Sequence, residues 1–386
     1  MSSPRPRSRL IEFFRTEVAA GVALLAATAT ALIWANVAPG VYANVWTTTV
    51  SAPGLAHSMT LAEWVSNGLM AVFFFVVALE IKREVLDGDL RDPRVAAVPI
   101  AGAIGGMLVP ALMFAVIARG TGYGRGWAIP MATDIAFALG VLRLAGRRAP
   151  RTLGLTLLTL AIADDLASFV VVAVFYSSRL QMGWLALAIA ALVGIAVVGR
   201  RVDHPLWFVV PAGLLWVAMV RGGIPPTLAG VALAFVTPMH DRRGRPVLAR
   251  LEQALHPWAS FVVVPLFALA NVGIALSAGS FRQLVTNEAA LGIITGRVVG
   301  KVLGITLGIA IACRLGATTT LDRRSRIALG LLGGVGLTVS VYIADLAYSG
   351  ETLATATLAI LVGSVIAALL ATGVLRTIRP VPDADT

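Results

Sequence analysis

The chain has 386 residues, of which 58% are hydrophobic and only 13% are charged, and its mean hydropathy is +0.86. A soluble globular domain is about 45–50% apolar and about 25% charged, so this composition excludes a soluble protein and indicates an integral membrane protein. The net charge is +11, and the single cysteine, Cys313, excludes an intrachain disulfide.

Apolar runs of about 17–25 residues predict membrane-spanning helices, and we count twelve such runs. In chain order the predicted spans are 17–36, 66–86, 95–118, 126–146, 152–176, 183–199, 205–220, 224–239, 257–277, 289–313, 327–347 and 354–376. The first run is too long for a signal peptide and has no cleavage site, so we expect a retained span. The sequence thus predicts an all-α polytopic membrane protein with one transmembrane domain over 17–376 and short tails at 1–16 and 377–386.

The basic residues follow the predicted topology. If the N-terminal tail is cytoplasmic, the outside segments hold only five of the 31 Lys and Arg residues, namely Arg119, Arg125, Arg179, Arg221 and Arg282. An excess of positive charge on one side of the membrane sets the orientation of a polytopic chain. We therefore expect both termini in the cytoplasm, and the net charge requires no nucleic-acid partner.

The fourth and fifth predicted spans carry acidic residues at or near their midpoints. Asp134 follows Pro130, which lacks a backbone donor and disfavours helix at the residue before it, so we expect the fourth span to break there. Asp164 and Asp165 lie in the fifth span at a depth where an ionised Asp costs about 2.5–3.5 kcal/mol on insertion scales. Adjacent helical side chains project about 100° apart, so at least one of the two must face the bundle interior. The alternative is a pair of structural carboxylates bonded to neighbouring hydroxyls.

The tenth and eleventh spans contain a lysine and a glycine cluster. Lys301 is the midpoint of the tenth span, and Gly333, Gly334 and Gly336 make an uninterrupted eleventh helix unfavourable. Spans three to five and ten to twelve are therefore triplets with an interrupted middle member, and the two triplets run in opposite directions. Inverted repeats with broken helices that cross near the midplane are typical of secondary transporters. Asp134 and Lys301 have the charges that would balance the ends of broken helices.

These stretches resemble the NhaA family of bacterial sodium/proton antiporters, and the resemblance extends from the second span to the eleventh. The segments that carry it are "LMAVFFFVVALEIKRE" (69–84), "PMATDIAFALGVL" (130–142), "LTLAIADDLASF" (158–169), "TLAGVALAF" (227–235), "LEQALHPWASFVVVPLFALANVGIAL" (251–276), "GKVLGI" (300–305) and "GGVGLTVSVYIA" (333–344). The double Asp, the Thr-Asp pair, the membrane lysine and the glycine-rich broken span form a highly specific combination.

The resemblance implies roles for the residues at the centre of the membrane. Asp164 and Asp165 would bind the cation and exchange protons, with Asp164 indispensable, and Lys301 would pair with Asp165. Thr133 and Asp134 would lie at the crossing of the broken helices. Two further hydroxyls, those of Thr338 and Ser340, would either contribute to the site or bond to carbonyls near the break.

The resemblance also implies a cytoplasmic-side cluster associated with activation by pH. Its members would be Glu80, Arg83, Glu84, Glu252 and His256. This chain departs from the best-studied member of the family at Pro225 and Gln253, where that protein has histidines. The pH at which activity begins is therefore left open by the sequence.

The activity that the resemblance implies is electrogenic exchange of cytoplasmic Na+ or Li+ for external H+, without a cofactor, in the bacterial cytoplasmic membrane. A hard monovalent cation prefers oxygen ligands, and protons compete with it for carboxylate oxygens. The implied partners are the cation, protons and membrane lipid. The external loop at 45–57 would form a hairpin that joins two copies in a homodimer.

Other functional classes fit the residues less well. An intramembrane aspartyl protease also buries two aspartates, but adjacent positions on one helix cannot straddle a peptide bond. A cation channel would need a continuous polar pore without a lysine at its centre. The main alternative is a proton- or sodium-coupled carrier of a small organic ion on the same crossed-helix architecture, although three acids and one lysine favour a cation.

Two features of the tenth span lie beside Lys301. Gly292, Gly296, Gly300 and Gly304 recur at every fourth residue, which predicts a smooth face for close helix packing. Arg297 lies one turn before Lys301, where a like charge is unfavourable. The role that we expect for Arg297 is limited to pairing with a carboxylate.

Overall fold

The computed structural model describes residues 6–51, 58–88, 91, 93–144, 151–177, 181–199, 209–241 and 244–378. Within these ranges, seven helices are long and apolar enough to cross a membrane: Val18–Val37, Leu61–Asp87, Ala96–Ile117, Thr152–Phe175, Val247–Asn271, Glu288–Arg314 and Gly350–Arg376. A bent pair, Arg323–Gly333 and Thr338–Ala347, makes an eighth if it is one span. The prediction of an all-α polytopic membrane protein is confirmed, whereas the number twelve stays a prediction.

The helices, in chain order, are α1 (Pro6–Val37), α2 (Pro39–Thr47), α3 (Leu61–Glu63), α4 (Met70–Asp87), α5 (Pro93–Ile117), α6 (Ile135–Leu144), α7 (Arg151–Phe175), α8 (Met182–Gly199), α9 (Val209–Gly222), α10 (Leu228–Val236), α11 (Val247–Trp258), α12 (Val264–Asn271), α13 (Ala278–Thr286), α14 (Glu288–Thr295), α15 (Lys301–Arg314), α16 (Arg323–Gly333), α17 (Thr338–Ala347) and α18 (Gly350–Arg376). A 3-10 helix occupies Gly124–Met131. Turns of π helix at Trp64–Leu69, Ala259–Val263 and Gly296–Gly300 join α3 to α4, α11 to α12 and α14 to α15.

Short polar side chains begin several of these helices. Thr60 and Glu63 form a capping box, in which the Thr60 hydroxyl accepts from the Glu63 backbone N–H at 3.1 Å and the Glu63 carboxylate accepts from the Thr60 N–H at 2.7 Å. Asn287 accepts two backbone N–H groups at the start of α14, and Asp322 accepts that of Ser325 at the start of α16. These caps explain where three of the spans begin, at Leu61, Glu288 and Arg323.

Several predicted boundaries are wrong. The ninth span begins ten residues early, at Val247. The start of the first span is not among them, because α1 begins at Pro6 but its apolar part begins at Val18, one residue from the predicted start at 17. In place of the eighth predicted span, 224–239, the structure has the shorter helix α10. Its nine residues give a helix about 14 Å long, less than half of the thickness of the hydrocarbon core of a bilayer. Helices α2 and α13 were not predicted, because runs of nine residues between spans resemble loops.

The structure describes the predicted external loop at 45–57 in part. Residues 45–47 belong to α2, while strands β1 (Thr49–Val50) and β2 (Met59–Thr60) pair antiparallel, with Thr49 opposite Thr60. Residues 52–57 lie outside the described part of the chain, so the turn of the expected hairpin does too. The two short strands agree with a hairpin at this place.

The chain divides into two compact units, each assembled from separate stretches. Unit 1 comprises Met1–Ala26, Asp92–Ser168 and Ile274–Thr386, and unit 2 comprises Ala27–Arg91 and Phe169–Gly273. Unit 1 has a buried apolar core contributed by α5, α6, α7, α15, α16 and α18. Within unit 2, α10 packs closely on α4, since a Cβ at Gly230 would lie 2.0 Å from the Ala71 carbonyl oxygen. The single-domain boundaries at 17 and 376 stay a prediction.

Close packing of α15 on α5 confirms the predicted glycine face. A Cβ at Gly304 would lie 2.1 Å from the Gly105 carbonyl oxygen, and one at Gly308 would lie 2.0 Å from that of Ala101. At Gly300 the nearest atom is the Pro110 Cα, at 2.9 Å. The absence of side chains lets the two backbones touch, as in other close-packed membrane helices.

We expect Gly304→Ala to destabilise the protein by about 1–3 kcal/mol, because the added methyl group has no room and forces α15 away from α5. Thermal unfolding in detergent measures the change. Gly373→Ala in α18 is the matched control, since a Cβ there meets no atom within 4 Å, and its melting temperature should equal or exceed that of the parent chain. Equal melting temperatures for Gly304→Ala and the parent would contradict this packing.

Candidate functional site

Two interrupted helices meet in unit 1. The 3-10 helix ends at Met131, the backbone is extended at Ala132, and α6 begins at Ile135; α16 ends at Gly333, and the chain bends by 49° before α17. The Asp134 N–H donates to the Val335 carbonyl at 3.0 Å, which joins the two interruptions directly. The breaks that Pro130 and the glycine cluster predicted are therefore confirmed.

Close contact between the interruptions requires glycine at position 336. A Cβ at Gly336 would lie 2.7 Å from the Ala132 carbonyl oxygen and 3.1 Å from the Arg297 guanidinium. Gly334 is equally confined, with a Cβ 2.4 Å from the Arg297 carbonyl oxygen. The glycines therefore end the helix and also let three backbone segments approach one another.

Asp134 caps two half-helices at once. Its Oδ2 accepts the Thr338 hydroxyl at 2.9 Å and the Thr338 backbone N–H at 3.4 Å, while Oδ1 accepts the Phe137 N–H at 3.3 Å. A negative charge at the N-terminal end of α17 is favourable, as the sequence predicted. Of the two alternatives for Thr338, a bond to a carbonyl near the break is not formed, because the hydroxyl donates to the carboxylate of Asp134, a predicted site residue.

The centre of unit 1 is a triangle of Thr133, Asp164 and Lys301. The Lys301 ammonium donates to Asp164 Oδ2 at 2.9 Å and to the Thr133 hydroxyl at 3.0 Å. Thr133 Oγ1 lies 2.7 Å from Asp164 Oδ2 and 2.8 Å from the Gly333 carbonyl oxygen. A hydroxyl has one proton, so Thr133 donates either to the carboxylate or to the end of α16. The whole triangle is buried, with Asp164 and Lys301 at 0% exposure.

The partner of Lys301 differs from the one that the resemblance implies. The contact lies at Asp164, the first aspartate, whereas a pairing with Asp165 was expected. The reason is the angle of about 100° between neighbouring helical side chains, which turns the two carboxylates to different sides of α7. Asp165 is also buried, at 6% exposure. The second oxygen of Asp164, Oδ1, is buried and accepts no hydrogen bond from the described residues.

Arg297 is a site residue whose partners the sequence did not reveal. It is fully buried, and its guanidinium donates to the carbonyl oxygens of Gly334 and Gly336 at 3.0 Å each. It also donates to the hydroxyls of Ser364, at 3.1 Å, and Ser340. Arg297 was expected to pair with a carboxylate, but it binds carbonyl oxygens that have no helical partners because the helix is broken there. Ser340 contributes its hydroxyl to this cluster, as the acceptor of a hydrogen bond from Arg297.

The predicted pH-response residues lie in unit 2, on α4 and α11. Arg83 forms an ion pair with Glu252 at 3.0 Å, and the charges of Glu84 and His256 act on the same carboxylate. Glu80 lies one turn before Glu84 on α4. The structure therefore brings four of the five together around Glu252. Nearby on α4, Lys82 donates to the Phe235 and Thr237 carbonyls at the end of α10.

Comparison with known proteins finds similarity along nearly the whole chain. Residues 11–375 match the family described as Na+/H+ antiporter 1. The Na(+)/H(+) antiporter NhaA of Nocardia farcinica is 43% identical over 381 residues, which cover 96% of this chain and 91% of that protein. The antiporter NhaA 2 of Rhodococcus jostii is 43% identical over 383 residues (96% and 93%), and NhaA of Yersinia pseudotuberculosis is 40% identical over 380 residues (96% of each).

Proposed function

The chain belongs to the NhaA family of Na+/H+ antiporters, and from that premise we propose that it exchanges cytoplasmic Na+ or Li+ for external H+. It is a transporter and not an enzyme. The exchange takes place across the bacterial cytoplasmic membrane and serves pH and sodium homeostasis. Neither a resident metal nor a cofactor is part of the proposal.

The observation that supports this proposal best is the buried triangle around Asp164. A carboxylate with one oxygen held by Lys301 and Thr133 and the other without a donor offers a negatively charged, oxygen-lined site to a dehydrated cation. The ammonium and a bound Na+ would repel each other at about 4 Å, so each favours the absence of the other. Cation binding and proton binding at Asp164, Asp165 and Lys301 are therefore alternatives.

Competition of this kind produces exchange. Protonation of the site on one side expels the cation, and cation binding on the other side expels protons. If more than one proton is exchanged for each cation, the membrane potential contributes about 2.3 kcal/mol per charge for every 100 mV. A gradient of one pH unit contributes about 1.4 kcal/mol per proton.

Several finer features complete the proposal. Twelve spans arranged as an inverted repeat, with spans three to five opposite spans ten to twelve, would place both termini in the cytoplasm. The ion pair of Arg83 with Glu252 and the neighbouring His256 would set the pH at which activity begins. Membrane lipid surrounds the spans, and the segment 45–57 would join two copies in a homodimer.

Reconstituted vesicles with an acidic interior test the function. We expect external Na+ or Li+ to dequench an internal pH dye and K+ to leave it unchanged. If exchange is electrogenic, clamping the membrane potential with valinomycin and equal K+ on both sides will alter the rate. Vesicles without protein are the control. No response to Na+ or Li+ from neutral to alkaline pH would instead favour the organic-ion carrier.

A further inference from the structure

The hydroxyl-bearing residues of α7 do not all behave alike. Thr156 donates to the Thr152 carbonyl at 2.8 Å, and Thr159 donates to the Leu155 carbonyl at 3.0 Å. Each of these two hydroxyls thus donates its hydrogen bond to a carbonyl on the preceding turn of the same helix, which is common in membrane helices. Ser168 is 1% exposed, yet its hydroxyl has no hydrogen-bond partner among the described residues.

A buried hydroxyl without a partner costs about 1–3 kcal/mol, and Ser168 could avoid that cost in the same way as its neighbours. The carbonyl of Asp164, four residues earlier, is the acceptor that back-bonding would use. A residue present only for packing would be expected to make that bond. The Ser168 hydroxyl is therefore directed elsewhere.

The position of Ser168 connects it with the acidic centre. It follows Asp164 by four residues, so the two side chains lie on the same face of α7, with Cβ atoms about 5–6 Å apart. Asp164 Oδ1 is likewise buried and accepts no hydrogen bond from the described part of the chain. Two buried oxygen atoms one helical turn apart thus lack partners, on the face that carries the indispensable carboxylate.

We propose that Ser168 Oγ is a ligand of the transported cation, beside Asp164 Oδ1. The proposal rests on the function proposed above and adds a residue that determines ion affinity and selectivity. A hydroxyl oxygen has two lone pairs and no charge, so it replaces a water molecule of the hydrated ion without changing the charge that moves in a cycle. Na+ is larger than Li+ and takes more oxygen ligands, and ligand number governs selectivity among other hard cations as well. Li+ can complete its smaller shell without the Ser168 oxygen, so loss of that oxygen weakens Na+ binding more than Li+ binding.

Measurement of ion affinity in two variants tests this role. Ser168→Ala removes the oxygen, while Ser168→Cys keeps the shape of the side chain and replaces a hard oxygen with a soft sulfur, which suits Na+ poorly. We expect the half-saturating Na+ concentration for exchange to rise about fivefold in both, the factor given by one hydrogen-bond-sized interaction. The value for Li+ should rise less, and the calorimetric Kd for Na+ in detergent should rise by the same factor.

Thr159→Val is the matched control, because it removes a buried hydroxyl from the same helix that is already bonded to its own backbone. Its Na+ affinity should equal that of the parent chain. If both Ser168 variants bind Na+ as tightly as the parent, Ser168 is no ligand. Loss of exchange in Asp164→Asn together with unchanged Ser168 variants would overturn this inference alone, whereas exchange that survives in Asp164→Asn would overturn the proposed function.

Discussion

Asp164→Asn is expected to abolish Na+-driven and Li+-driven proton exchange, with a rate at least about 100-fold below that of the parent chain. Asparagine has nearly the same shape but neither binds a proton nor has a charge. The Lys301 ammonium then loses the carboxylate at 2.9 Å, and a buried charge left without its partner costs about 3–5 kcal/mol. A cation would therefore meet a buried site that is neutral or positive in place of an anionic one. Dequenching of the vesicle dye measures the rate.

Asp322→Asn is the matched control for that substitution. Asp322 caps α16 through the Ser325 N–H, and Asn caps a helix as well as Asp, so exchange should be unaffected. Adding Lys301→Met to Asp164→Asn removes the unpaired ammonium and should restore thermal stability while exchange stays absent. Exchange that persists in Asp164→Asn would mean that protons and the cation bind elsewhere.

Arg297→Met is expected to lower the stability of the fold by about 2–4 kcal/mol, a larger loss than that expected for Gly304→Ala. The Gly334 carbonyl loses its guanidinium donor, and the Ser340 hydroxyl loses the charge that holds it. Each buried polar group left unpaired costs about 1–3 kcal/mol. The Gly336 carbonyl is less affected, since the Ser364 hydroxyl still donates to it at 2.6 Å. Thermal unfolding in detergent, followed by tryptophan fluorescence, measures the loss.

Arg314→Met provides the comparison, because Arg314 lies at the exposed end of α15, the helix that follows the π turn containing Arg297, and its loss should change the melting temperature little. Arg297→Lys keeps the charge but lacks the planar fork, in which Nη1 donates to the two carbonyls while Nη2 donates to Ser340, so its stability should be intermediate. If Arg297→Met unfolds at the same temperature as the parent, the guanidinium does not hold the break between α16 and α17.

Residues of the central site could be predicted from the sequence where the residue type differs from that of its neighbours along the chain. Charged side chains at Asp134, Asp164 and Lys301 are conspicuous because each interrupts an apolar run at the depth where charge is most unfavourable. Proline and clustered glycine identified both breaks for a similar local reason. A contact between Lys301 and the Asp pair was expected as well, but the resemblance assigned it to Asp165, whereas it lies at Asp164.

The other contacts depend on groups that have no signature in the sequence. Arg297 binds main-chain oxygens 37 and 39 residues away, and any residue has a carbonyl. In the sequence, the orphaned hydroxyl of Ser168 looks the same as the bonded hydroxyl of Thr159, because only the folded chain shows the acceptor. Helices α2 and α13 are too short for a hydropathy window of membrane length to detect. The boundaries of the helices were therefore the weakest part of the prediction.

The π turn at Gly296–Gly300 has a consequence for how this transporter could have diverged. A π turn accommodates one residue more than an α-helical turn, and each added residue rotates the next part of the helix by about 100° around the axis. Lys301 comes immediately after that turn, so the angular position of the ammonium depends on the surplus residue and not only on the register of α14. A single-codon insertion or deletion in this segment would rotate the whole of α15 while leaving α14 in place. A change of length at this turn would therefore redirect the Lys301 ammonium without substituting Lys301, Asp164 or Thr133.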